Sequence, residues 1–87
     1  MKVVAKPIEV VTWFDKNGLP HPTRFRYVND EHADQVVKID RIITRDREKL
    51  AGNDMLIFNC QSVINNDMRD YQLKYELKTC KWILFKI

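Results

Sequence analysis

Apolar and polar positions alternate with a period of two along much of the chain. In residues 23–28, "TRFRYV", Phe25 and Tyr27 fall on one side of an extended backbone and Arg24 and Arg26 on the other. Residues 71–77, "YQLKYEL", repeat the pattern. This period marks a strand with one dry and one wet face. Four more segments are rich in β-branched and aromatic residues: "PIEVVTWF" (7–14), "QVVKIDRIITR" (35–45), "MLIFNCQSVI" (55–64) and "KWILFKI" (81–87). Polar turns separate them, with Asn17-Gly18 the strongest signal, followed by "NDEHAD" (29–34) and "NNDM" (65–68). "DREKLAGND" (46–54) is expected to hold at most a short helical turn near residues 46–52, capped by Asp46 and closed by Gly52. Six strands with tight connections predict an all-β antiparallel meander. Closing it into a small SH3-like or similar β-barrel removes its edges.

Two hairpins carry a register. Putting Phe25 and Tyr27 on one face with Val37 and Ile39 sets Phe25 opposite Ile39 and Tyr27 opposite Val37. The outer face then pairs Arg24 with Asp40 and Arg26 with Lys38. At the end of the chain, a two-residue loop at Lys78-Thr79 sets Tyr75 opposite Trp82 and Leu73 opposite Leu84. Phe25, Val37, Ile39, Phe58, Leu73 and Tyr75 are the expected core. Ile83, Phe85 and Ile87 point the other way, and a half-exposed strand is not apolar on both faces. The N-terminal segment or a second copy of the chain is expected to cover them, which makes these three residues the candidate contact of a homo-oligomer.

Size and composition narrow the class. Eighty-seven residues make one small domain, 1–87, with a modest core. With 45% hydrophobic and 31% charged residues and only two glycines, the chain is not collagen-like, low-complexity or disordered. No apolar run is long enough for a membrane helix, and Lys6 and Glu9 interrupt the apolar start, so a cytoplasmic chain without a membrane partner is expected. Cys60 and Cys80 lack metal or redox spacing and read as reduced thiols.

Catalytic chemistry finds no support. His21 and His32 fall in expected loops and are not tied to Cys60, Cys80 or Ser62, as a nucleophile and its base would be. No set of three or four metal ligands has a recognised spacing, and no glycine-rich loop could cradle a phosphate. A non-enzymatic module without metal or cofactor is expected. Phe25, Tyr27, Phe58, Tyr71, Tyr75 and Trp82 read as core; a base-stacking platform would need several of them exposed.

The net charge of +3 permits nucleic-acid contact without arguing for it. The arginines say more. In the expected register Arg26 faces Lys38, and like charges directly opposed destabilise a sheet. Arg41 and Arg45 continue the basic character. A phosphate backbone would relieve this repulsion, so Arg24, Arg26, Lys38, Arg41 and Arg45 form the candidate nucleic-acid-binding set. A solvated basic face is the plainer reading of the same residues.

From Gly18 onward the pattern "GLPHPTRFRY", the Val37/Ile39 alternation, "YQLKYEL" and the closing "CKWILFKI" resemble a family of small uncharacterised bacterial proteins. That family shares a Pro–Arg-Phe-Arg-Trp strand and a terminal Trp-x-Leu-x-Arg-Val strand. Here Tyr27 stands for the Trp and Lys86 for the Arg, and residues 46–54 have no counterpart. Some members are encoded beside Y-family translesion DNA polymerases. The resemblance implies an accessory role in DNA repair or lesion bypass, with nucleic acid or a repair protein as partner. The alternative is a structural or oligomeric protein-interaction domain without nucleic-acid affinity.

Overall fold

The computed structural model describes residues 1–87, all in strands and turns. Seven strands follow in order: β1 (Val3–Phe14), β2 (Pro20–Val28), β3 (Asp34–Lys38), β4 (Arg41–Leu50), β5 (Asn53–Ile64), β6 (Asp67–Glu76) and β7 (Lys81–Lys86). They form one antiparallel sheet in the order β3-β2-β1-β7-β6-β5-β4. No helix is long and apolar enough to cross a membrane.

The expected closed barrel of six strands is corrected to a half-barrel of seven. The run 35–45 is not one strand. It breaks at Ile39-Asp40, where the backbone leaves β2 and reaches β5. Ile39 N still donates to Thr23 O at 2.9 Å. Asp40 N already donates to the Ser62 hydroxyl, and the Asp40 carboxylate accepts from Val63 N. β3 and β4 therefore lie at opposite ends of the sheet, joined by a corner, and never pair.

The expected helical turn at 46–52 is also corrected. β4 runs on to Leu50 and turns back through Ala51 and Gly52, both at positive φ (50° and 82°). Two left-handed residues make the tight turn whose twist matches a hairpin, and Gly52 adopts that backbone without a Cβ clash. Asn65 and Asn66 do the same between β5 and β6, at φ 52° and 67°. Asp15 builds the turn around Asn17-Gly18: its carboxylate accepts from Asn17 N and Leu19 N.

The register of the last hairpin is as expected, with Tyr75 opposite Trp82 and Leu73 opposite Leu84, though the loop spans Leu77 to Cys80. The β2–β3 register is shifted by two. Phe25 faces Val37 and Tyr27 faces Gln35. The shift keeps every side chain on its expected face, because side-chain direction repeats every two residues. Its cause is the tight loop at Asn29, whose side-chain oxygen accepts from Glu31 N and Ala33 N.

The concave side carries the core. Phe25, Val37, Phe58, Cys60, Tyr71, Leu73, Tyr75, Trp82 and Leu84 are buried there. Phe25 and Tyr71 meet across the interior with ring centroids 5.3 Å apart, and Tyr75 and Trp82 at 4.8 Å. Ile39, expected in the core, is half-buried at the corner and packs on its margin. The last strand is not covered by a second layer. β1 pairs along its edge, Pro7 opposite Ile83 and Ile8 opposite Trp82. Ile83 and Phe85 stay half-buried on the convex side, where the Lys74 ammonium sits 3.7 Å from the Phe85 ring centre and bonds Glu48. Ile87 packs against the core.

Ser62 is 1% exposed and its hydroxyl donates to Lys38 O at 2.7 Å while lying 2.7 Å from the Tyr71 hydroxyl. Ser62→Ala leaves the Lys38 carbonyl and the Asp40 amide without this partner, so it should lower unfolding free energy by about 1–3 kcal/mol in a denaturant titration. An unchanged midpoint would show the corner is held otherwise.

The two thiols differ. Cys60 is fully buried, and burial pushes its thiol up to about 12, opposed in part by the charge of Arg45. Cys80 is exposed in the last turn. A disulfide thiol reagent at pH 8 should titrate one cysteine in the folded protein and the second only after unfolding, because the reactive form is the thiolate. Two fast-reacting thiols would contradict this burial.

Candidate nucleic-acid interface

The half-barrel leaves an open side. β3 pairs only with residues 24–28 of β2 and Ile39 N reaches Thr23 O, so the stretch Pro20–Pro22 has a free edge. β4 has the other free edge. The seam between them is where the candidate cations gather.

Position along each strand sets which way the cations point. Arg24 and Lys38 face each other across β2 and β3 on the convex side. The expected partners are therefore corrected: Asp40 does not face Arg24, and Lys38 does not face Arg26. The like-charge pair is Arg24–Lys38. Arg26 lies opposite Glu9 on β1, and its Nη2 donates to the Glu9 carboxylate at 2.6 Å. On β4 a bulge at Ile43 changes the parity of the strand. Arg41, before it, pairs with Gln61 on the convex side; Arg45, after it, pairs with the buried Phe58 on the concave side. A strip read from sequence as one face thus wraps around the edge of β4.

Arg24, Lys38, Arg41 and Arg45 make no ion pair, while Arg26 and Arg47 do. Lys38, Arg41 and Arg45 line one groove of about 450 Å³ together with Pro22 and Thr23. Asp40 lines it too, but its carboxylate is engaged by the Val63 amide. Arg24 adjoins this groove through its pairing with Lys38. A larger depression of about 470 Å³ lies over Glu9, Arg26 and Val36 on the convex side. There the Arg26–Glu9 pair cancels its own charge, and Arg24 lines the depression without a carboxylate partner.

Beside the groove lies a cavity of about 260 Å³, walled by Leu19, Pro20 and His21 on one side and by β4 residues on the other. Leu56 and Phe58 form its base. Arg45 lines both spaces. Arg47 is fixed at the rim by two hydrogen bonds to the Asp54 carboxylate, which they hold below the usual carboxylate range. His21, expected in a loop, lies in β2. Its ring stacks on Trp13 at 4.0 Å between centroids, and its Nε2 is 3.0 Å from the Asp15 carboxylate. That bond, with the turn amides of Leu19 and Asn17, keeps the Asp15 carboxyl below its ordinary value.

The aromatic residues weighed for stacking are core: only Tyr27 of the six is even half-exposed. The exposed aromatics are Trp13 and Phe14, at 55% and 52%. Continuing the alternation of "EVVTWF" would have set Trp13 beside Glu9 and Val11 on the outer face. Nothing in the residues marks Arg47 or the cavity, because both depend on the bulge.

Comparison with protein-family models, curated proteins and solved structures returns no match.

The corrected register reverses the expected effects of two substitutions. Arg24→Gln removes a repulsion with Lys38 and should leave the thermal midpoint unchanged or raise it. Arg26→Gln loses Glu9 and should lower it slightly, an effect that shrinks as salt rises. The opposite order in paired melting curves would restore the register with Arg26 against Lys38.

Proposed function

We propose that this chain is a non-enzymatic binding module that holds a nucleic-acid backbone along the seam between β2–β3 and β4. The observation that carries the reading is the gathering of unpaired cations from three strands at one groove. Lys38, Arg41 and Arg45 line one groove and Arg24 adjoins it, and none of the four has a carboxylate partner, whereas Arg26 and Arg47 are paired with Glu9 and Asp54. Opposed like charges such as Arg24 and Lys38 cost stability in the free protein. A ligand with regularly spaced negative charge removes that cost on binding. The resemblance in the sequence to proteins encoded beside translesion polymerases makes DNA the first ligand to examine and lesion bypass the process. Arg26 leaves the candidate set, since Glu9 already satisfies it.

A second reading keeps the chain as a protein-interaction or oligomeric domain. It is favoured by Val11, Val36 and Trp13, exposed at 53%, 63% and 55% on the convex side of β1 and β3. On that reading DNA affinity is absent.

Fluorescence anisotropy with labelled single-stranded DNA at several salt concentrations decides between them. Lys38→Gln, Arg41→Gln and Arg45→Gln should each weaken binding and flatten the plot of log affinity against log salt by about 0.7. Base sequence should matter little, because phosphate contacts position a strand without reading it. Arg26→Gln should leave the slope as it is. Absence of binding at low salt, or a slope altered by Arg26→Gln alone, would overturn the seam as the site.

A further inference from the structure

We infer that the cavity beside the seam takes an unstacked base, so that the chain binds single strands in preference to duplex; this rests on the reading of the seam given above. The two spaces are chemically different and adjoin at one residue. The groove presents cations and suits phosphates. The cavity presents Leu19, Pro20, Leu56 and the margin of Phe58, and suits an apolar ring. Arg45 borders both, so a phosphate held there brings the base attached to it to the mouth of the cavity.

The polar group at the rim sharpens the argument. Arg47 is locked by Asp54. It offers a planar surface held in place rather than an unsatisfied donor. A locked guanidinium plane stacks well on a base and asks nothing of its hydrogen-bonding edge. The cavity should therefore accept any base, with a mild preference at most. A duplex keeps its bases paired inside and cannot fill the space, whereas a flexible strand turns one out at little cost. Charge density alone predicts the reverse order, because duplex DNA carries more phosphates per unit length.

The decisive comparison uses three labelled ligands of equal nucleotide length on the intact chain: oligothymidine, an oligomer with abasic sites throughout, and a mixed-sequence duplex. Oligothymidine should bind about fivefold or more tightly than the abasic oligomer, the range that one stacked base supplies. The duplex should bind more weakly than oligothymidine. Leu19→Ala, at an exposed turn position, should narrow the gap between oligothymidine and the abasic oligomer without changing the abasic affinity. Thymidine monophosphate in molar excess should not displace the strand, because the seam cations act on successive phosphates. Equal affinity for oligothymidine and the abasic oligomer, or tighter duplex binding, would each overturn the base cavity while leaving the seam in place; displacement by the mononucleotide would overturn the seam of successive phosphate contacts. Failure of all three ligands to bind at low salt would overturn both.

Discussion

The curvature of this sheet depends on one buried hydroxyl. Ser62 donates to Lys38 O, accepts from Asp40 N and meets the Tyr71 hydroxyl. Lys38–Asp40 is the corner that ends β3 and begins β4, so it belongs to both ends of the sheet. Fixing it to β5 folds one end over the other without any pairing between them. The environment is dry, which strengthens each bond and makes each loss costly. Burial also raises the Tyr71 hydroxyl above its ordinary pKa, so it stays protonated and able to donate. Phe25 then closes on Tyr71 from β2, and the concave interior fills from both ends.

What could be read along the chain was local. Alternation placed Phe25, Val37, Phe58, Leu73 and Tyr75 on the right face, and the turn at the end of β6 set the pairing of Tyr75 with Trp82. The corner at Ile39-Asp40 was hard to read, because no glycine or proline interrupts "QVVKIDRIITR" and its β-branched residues continue on both sides of Asp40, the one strand-disfavouring acid in the run. Its break is caused by Ser62, 22 residues away from Asp40. Ala51-Gly52 reads as a helix end as readily as a hairpin, since a left-handed glycine serves both. The site suffered most. The residues Arg24, Lys38, Arg41 and Arg45 were visible as cations, but their partners followed from a loop at Asn29 that moved the register by two. Their directions followed from a bulge at Ile43 that no composition announces.

The seam persists because both of its edges resist another strand. The Leu19 carbonyl accepts from Asp15 N just after β1, so in the alternation of an antiparallel pair Pro20 and Pro22 turn their nitrogens to the open side. Neither can donate there. On β4 the concave side carries Arg45, Arg47 and Lys49, while Asp46 and Glu48 face the convex side. A second β4 added in register would set cation against cation on one face and acid against acid on the other. An edge without donors and with sorted charges is a poor template for a protein backbone.

The proposed ligand would use the two edges of the seam unequally. On the proposal above, a DNA backbone, which has acceptors and no donors, gains no hydrogen bond at the proline side and depends on the cations of the seam. On the β4 side it meets side-chain donors that point into the seam from both faces of the strand, Arg41 from the convex side and Arg45 from the concave. Arg47 and Lys74 are already matched, by Asp54 and Glu48. The cations nearest the corner are not. One hydroxyl, by bending the chain at Asp40, therefore both opens the seam and leaves its charges unmatched.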